Sequence, residues 1–237
     1  MVLFNKLTQI KDSMSGMKHL LWLVLMGWAV AAPFEEGQFA VAYEQGRSSG
    51  GINGWLMAAK AANSYASYSA KGDTEILGWF ARAQAAAQKA LEANPRSAEA
   101  HFELARAIGG TLNHQSLLTK VNLVGVMRDH LNEALKLRPD LPEVRVALAL
   151  WNLEVSENGV GWLYGADKGR VKPLFEEALR LEPNSVAARG WYGWILLRLG
   201  DKAAAKAQLE KVVALTPHNA VDRFEWTLAK ERLAELR

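Results

Sequence analysis

Four prolines punctuate this chain at a spacing that few folds can satisfy. Pro95, Pro139 and Pro183 stand 44 residues apart, and Pro217 follows after 34. Three of them sit in similar phrases, ALEANPRSAEA from Ala90, ALKLRPDLPEV from Ala134 and ALRLEPNSVAA from Ala178, and the fourth closes VALTP. Before Pro183, the residues Val171, Leu174, Phe175, Ala178, Leu179 and Leu181 recur at the i, i+3, i+4, i+7 spacing of one helix face. Proline cannot continue the hydrogen-bond ladder and pushes its predecessor out of the α region, so the helix stops near Glu182. Asn184 and Ser185 are good N-caps for a new apolar pattern. The unit is therefore a helix B, a proline-marked turn and the helix A of the next unit. Alternating runs of β-branched residues are missing, so the expectation is an all-α fold.

The last unit shows the pattern at its shortest. Tyr192 and Gly193 are followed by Leu196, Leu199, Gly200, Ala205, Leu209, Val212 and Pro217. The small residues Gly193 and Ala205 let two antiparallel helices approach closely, Leu209 and Val212 cover the gap, and Leu199-Gly200-Asp201 turns the chain. This unit resembles the tetratricopeptide repeat (TPR), whose length is about 34 residues. The resemblance implies a right-handed α-solenoid of antiparallel helix pairs, with repeats at about 52–95, 96–139, 140–183 and 184–217 and a capping helix at 219–237. The 44-residue units then carry about ten extra residues each, in longer A helices or in the loops between A and B. The additions are placed at Gly109–Lys120 and Ser156–Gly169, which are rich in glycine and polar turn residues. Helix A of the first repeat is expected from Ile52 to Tyr68 and helix B from Thr74 to Ala93. Residues 32–51 are read as a further helix from Phe34 to Gln45 and a linker, GRSSGGING.

The long-insert repeats are also similar to the regulator of microtubule dynamics family. The matching positions are Lys120, His130, Leu131, Ala134, Pro139, Trp151, Trp162, Tyr164 and Gly165. The resemblance implies a TPR-like domain. It places the chain beside bacterial exported relatives rather than the eukaryotic members associated with microtubules and with mitochondrial or reticular membranes. Microtubule binding does not attach to these motif positions and is not carried over.

That placement rests on the N-terminus. Lys18 and His19 precede an apolar run from Leu20 to Ala32, which ends in the small-x-small sequence Ala29-Val30-Ala31. This is the pattern of a secretory signal, 1–31, cleaved before Ala32. The run is shorter than the roughly 20 residues a membrane-spanning helix needs. Export to the periplasm or beyond is the expectation, an uncleaved N-terminal membrane anchor the alternative, and no span is expected in the mature chain. Without residues 1–31 the chain holds 25 basic and 24 acidic side chains, so the net charge falls from +3 to +1. A nearly neutral mature chain has no basic field for phosphates, which argues against nucleic acid as a partner. Cysteine is absent, which excludes disulfides, thiolate metal sites and cysteine nucleophiles.

No motif announces a reaction. Gly46 and Gly51 in GRSSGGIN have the outer spacing of a phosphate loop, but Ile52 stands where lysine is required and no strand precedes it. His19, His101, His114, His130 and His218 form no metal-binding pair at helical spacing, and no serine sits in a nucleophile elbow. The expectation is a non-enzyme without cofactor or metal. Aromatic residues are more suggestive. Trp151, Trp191 and Trp194 fall in A helices, which line the inner face of such a solenoid, and Trp162 and Tyr164 fall in an insertion. Arg106, Trp151, Trp162, Tyr164, Trp194 and Arg198 are the candidate partner-binding residues. Trp194 and Arg198, four apart, are expected on one side of their helix. The function expected is a non-catalytic scaffold or adaptor that binds a protein or peptide on its concave face. The alternative is a small-molecule binding accessory module of the TRAP-transporter-associated type, which an enclosed apolar cavity would favour over an open groove.

Overall fold

The structure is a computed structural model that describes residues 33–115 and 117–236; the signal read at 1–31 lies outside them. Among the described residues there is no strand. After a helical turn at 33–36 come α1 (Phe39–Ser49), α2 (Gly51–Tyr68), α3 (Asp73–Ala93), α4 (Ala98–Thr111) and α5 (Leu117–Leu137). They are followed by α6 (Pro142–Glu157), the single turn α7 (Gly161–Tyr164), α8 (Val171–Leu181), α9 (Val186–Arg198), α10 (Lys202–Ala214) and α11 (Ala220–Glu235). Antiparallel pairs form from α2 and α3, α4 and α5, α6 and α8, and α9 and α10. The fold is an all-α, TPR-like solenoid of stacked helix pairs.

The proline period sets a local device at each turn. Two residues after the proline stands the N-cap: Ser97 accepts from the Ala100 N–H, Ser185 from Ala188 and Asn219 from Asp222. Leu141 holds this place in the third repeat, and Pro142 opens the helix instead, at a position where its missing N–H costs nothing. Six residues after the proline, a side chain reaches back across the turn. His101 Nε2 lies 3.0 Å from the Pro95 carbonyl, Arg145 donates to Pro139 at 2.6 Å, and Arg189 donates to Pro183 at 2.6 Å. These donors satisfy carbonyls that a proline-broken helix end leaves open.

The added residues do not all make loop. Gly109–Thr111 extends α4, a 3-10 turn spans Leu112–His114, and α5 begins at Leu117. Only the second addition is a loop proper, containing α7 and a 3-10 turn at Lys168–Arg170. The sequence GRSSGGING is likewise no linker. α1 runs through Ser49, and Gly50 and Gly51, both at φ +61°, turn the chain directly into α2, a conformation that suits glycine because it has no Cβ. The two helices then cross so closely that a Cβ on Gly46 would stand 2.6 Å from the Gly54 carbonyl oxygen.

One apolar core runs from Ala98 to Ala205 through Leu131, Ala134, Val144, Val171, Phe175, Ala178 and Ile195. Leu181, assigned to the same face of α8 by spacing, is 45% exposed because the helix ends on it. In the last pair, α9 and α10 meet at Gly193, where an added Cβ would lie 2.8 Å from Cδ2 of the fully buried Leu209. Gly193→Ala is therefore expected to destabilise the protein even though alanine gains about 1 kcal/mol in helix propensity. Overpacking a close-packed interior costs about 1–3 kcal/mol, so the urea midpoint followed by circular dichroism is expected to fall.

Candidate functional site

The A helices α4, α6 and α9 wall a cavity of about 470 Å³. From α4 come Arg106, Gly109 and Gly110; from α6, Ala147, Leu150, Trp151, Glu154 and Val155; from α9, Trp191 and Trp194. The B helix α5 adds Lys120, Val121, Val124 and Met127, and α7 adds Tyr164. Phe80 reaches in from α3 because Gly110 leaves room: a Cβ there would fall 2.2 Å from its ring. The lining is chiefly apolar and aromatic, with a few polar groups.

Four of the six candidate residues line this cavity. Trp151 is 4% exposed and its indole N–H donates to the Val124 carbonyl at 3.0 Å. The Tyr164 hydroxyl donates to the Val121 carbonyl at 2.5 Å, and Arg128 caps the Tyr164 carbonyl at 3.0 Å, which holds α7 against α5. Trp194 meets Trp191 edge-on at 5.4 Å, with the Arg198 guanidinium 5.1 Å and the Arg232 guanidinium 5.7 Å from its ring. Arg106 pairs with the buried Glu103 at 3.0 Å, and Asn63 donates to the same carboxylate at 2.7 Å.

The other two lie elsewhere. Trp162 is 84% exposed on α7 and is not part of the lining. Arg198 shares a side of α9 with Trp194, but its guanidinium is held by Glu154 and Glu157 and so ties α9 to α6. Sequence reasoning missed Val124, Met127, Leu150 and Phe80, and placed Trp191 on an inner-face helix without counting it among the candidate residues. Helical spacing carried part of the signal: Ala147, Glu154 and Val155 stand at −4, +3 and +4 from Trp151, and Gly109 and Gly110 at +3 and +4 from Arg106.

Beside the cavity, the two ends of the array meet. Tyr68 at the end of α2 donates its hydroxyl to Glu225 of α11 at 2.8 Å and stacks on Phe224 with ring centroids 5.3 Å apart. Phe224 also lies 6.3 Å from Phe39. Arg223 is the residue six past Pro217, but it donates to the carbonyl of Glu35, at the opposite end of the array, at 2.8 Å. The apolar spacing of α11 in the sequence, Phe224, Leu228 and Leu233, does not by itself set the inward face, although Leu233 packs against the core of α9 and α10. The inward face carries Ala220, Glu225 and Ala229, and Phe224 is 37% exposed. Glu225 is 1% exposed. Burial pushes its carboxyl above the usual carboxylate range, against the Tyr68 hydrogen bond and the Arg232 charge, which pull it down.

Among the described residues, no three His, Cys, Asp or Glu side chains are grouped to hold a metal ion, and no helix is long and apolar enough to cross a membrane. Residues 170–224 match the family described as tetratricopeptide repeat, and residues 53–163 match regulator of microtubule dynamics protein 1-3. The chain is a TPR protein that resembles the regulator of microtubule dynamics family. Its TPR fold is similar to that of the crystal structure of a thermophilic TPR protein from Thermus thermophilus. That match has a TM-score of 0.63 and 15% identity and covers 88% of this chain and 97% of the other. A crystal structure of MamA matches with a TM-score of 0.43 and 15% identity, covering 84% of this chain and 92% of that one. No curated protein matches the chain.

In this TPR array the second repeat holds a titratable pair at the α4–α5 contact. His101 Nδ1 and His130 Nδ1 are 2.8 Å apart. The Pro95 carbonyl can only accept, so His101 carries its hydrogen on Nε2, its Nδ1 accepts, and His130 donates. Burial, then the neighbouring His101, holds His130 below the usual histidine range. Between that lowered value and about 6.5, the unfolded chain binds more protons than the folded one, so stability rises with pH there and is lost on acidification. Urea unfolding at pH 5.5 and 7.5 is expected to show a lower midpoint in acid, and His130→Asn is expected to shrink the difference.

Proposed function

We propose that this TPR protein is a non-catalytic binding scaffold of the periplasm or cell envelope. In this reading it holds an extended segment of a partner protein by seating one apolar side chain in the cavity between α4, α6 and α9. The TPR fold supports protein interaction in general terms. The observation that carries the finer reading is the composition of the lining: three indole rings and several aliphatic chains surround a few polar groups. Large aromatic side chains in a desolvated pocket are where binding energy concentrates at interfaces.

The charges around the pocket narrow the partner. Glu154 is neutralised by Arg198, and Arg106 is paired with Glu103. Lys120 makes no ion pair among the described residues. A segment with an acidic residue beside its apolar anchor would fit, since the carboxylate would meet this cation. Work outside the cytoplasm is supported by the Lys18–Ala32 sequence, and cell fractionation with sequencing of the mature N-terminus tests it. A chain that starts at Ala32 and is released with the periplasm is the expected result.

A second reading is favoured by the cavity volume, which falls within the roughly 300–1,000 Å³ of small-ligand pockets. In it a free apolar molecule occupies the site, as in a transport accessory module. One experiment separates the two. Peptides selected by display against the mature chain are titrated calorimetrically, and the purified protein is inspected by native mass spectrometry for retained small molecules. The scaffold reading expects selected peptides to share an acidic–apolar pattern and to bind about tenfold or more weakly to Trp194→Ala, a hot-spot loss. It expects Lys120→Glu to weaken them as well. Peptides unaffected by both changes would refute it, and a retained apolar molecule would favour the second reading.

A further inference from the structure

Glu103 is a carboxylate that the apolar stack does not need. It sits on α4, is 5% exposed, and meets the fully buried Asn63 of α2. Asn63 donates from Nδ2 to a Glu103 carboxylate oxygen at 2.7 Å and to the Glu103 carbonyl at 2.9 Å. Its own Oδ1 accepts no hydrogen bond. Burying a carboxylate and a half-satisfied amide is costly, and a well-packed apolar pair would fill the same space at least as stably. What Glu103 holds accounts for the cost. Both of its carboxylate oxygens accept from Nη1 of Arg106, one turn further along α4, at 3.2 and 3.0 Å, and Arg106 lines the cavity.

That contact uses one corner of the guanidinium. Nη2 and Nε make no hydrogen bond among the described residues, and the Arg106 side chain is 27% exposed. The N–H groups of its other edge are therefore left for whatever enters. Arg198 differs, since its Nη1 and Nη2 are both taken, by Glu154 and Glu157. Charge decides what the free edge of Arg106 accepts. Two cations line the cavity, and only Lys120 lacks an ionic partner among the described residues. The lining carboxylate Glu154 is offset by Arg198. One carboxylate thus balances the site, and Lys120 is its partner in the proposed function. A second carboxylate at Arg106 would feel the Glu103 charge through a low-dielectric wall, where like charges repel strongly. An uncharged acceptor meets no such repulsion and still gains a hydrogen bond from a charged donor. Every residue of an extended segment carries one, its main-chain carbonyl.

We propose that Arg106 is the specificity-determining donor of the cavity: it takes an uncharged acceptor, a main-chain carbonyl of the bound segment. Glu103 is the positioning residue that aims Arg106 and keeps it from taking an acid. The inference rests on the cavity being the peptide site of the proposed function. The apolar anchor then lies among the indoles, its acidic neighbour meets Lys120, and Arg106 holds the backbone between them.

N-acetyl-leucinamide and N-acetyl-leucine offer the same apolar side chain with an amide or a carboxylate beside it, and both serve as probes of the full chain. The indole N–H resonances of Trp151, Trp191 and Trp194, which line the cavity, report their binding in a titration. Arg106→Lys keeps the charge beside Glu103 and loses the planar second edge. It is expected to weaken the amide about tenfold, the loss of one charge-assisted hydrogen bond, with little effect on the acid. Arg106→Met/Glu103→Gln removes both charges together, so that neither is left buried alone, and is expected to bind the amide as weakly. Glu103→Gln frees the Arg106 charge, so the acid is expected to bind about tenfold more tightly and with a steeper salt dependence. A structural defect would weaken both probes instead. An amide that does not bind, or binds wild type, Arg106→Lys and the double variant equally, would overturn the proposal. A Glu103→Gln variant that weakens both probes alike would overturn the positioning role of Glu103. Display peptides that depend on Trp194 and not on Arg106 would leave the proposed function standing and refute this inference alone. Amide binding that depends on Arg106, with no peptide selected, would do the reverse.

Discussion

A helix pair cut short by proline has an apolar face that it cannot bury by itself, and everything else in this molecule follows from how that face is covered. Each pair lays it against the next, so Leu131, Val144, Phe175 and Ile195, from four helices of three successive repeats, share one interior. Stacking of this kind fixes a small rotation per repeat, and the rotations accumulate. In this chain they bring Tyr68 and Glu225, at opposite ends of the array, to 2.8 Å. The cavity lies on the inner side of the same curve, where α4 and α6 are lined by Arg106, Gly109, Leu150 and Trp151.

The repeating parts were legible in the sequence for a physical reason. Proline breaks, N-caps and helical apolar spacing act over a few residues, so Ser185, Gly193 and Leu209 could be given their roles from local pattern alone. The residue six past each proline was legible too in principle, as His101, Arg145, Arg189 and Arg223 occupy one register, and in the first three the bond to the proline carbonyl explains why a donor stands there. The departures arise where tertiary contact overrides local preference. GRSSGGING reads as a linker by composition, yet Gly46 and Gly54 are small so that α1 and α2 can cross in contact. Helix α11 reads as amphipathic through Phe224 and Leu233, but contact with Tyr68 and with α9 at Gly190 turns Glu225 inward.

The site shows the same division. Trp151, Trp194 and Arg106 stood out because large aromatic rings and arginine on A helices point to an inner face, and all three line the cavity. Trp162 had the same composition signal, but it sits on a single helical turn outside the lining, 84% exposed. Phe80 carried no signal because its place depends on the absent side chain of Gly110, thirty residues away. A cavity assembled from four repeats and bordered by a contact between chain ends is a product of curvature, and curvature is a property of the whole stack.

The claim on which this account depends is that the first and last helices of the array touch beside the cavity. The most direct measurement is the nuclear Overhauser spectrum of the full chain with selectively protonated tyrosine and phenylalanine rings. Stacked rings with centroids 5.3 Å apart predict strong cross-peaks between Tyr68 and Phe224, abolished by Phe224→Leu with the remaining peaks in place. A spectrum without them, from a chain whose Phe175–Tyr192 stack at 4.8 Å is present, would contradict the account, because it would mean an open arc with no closing wall.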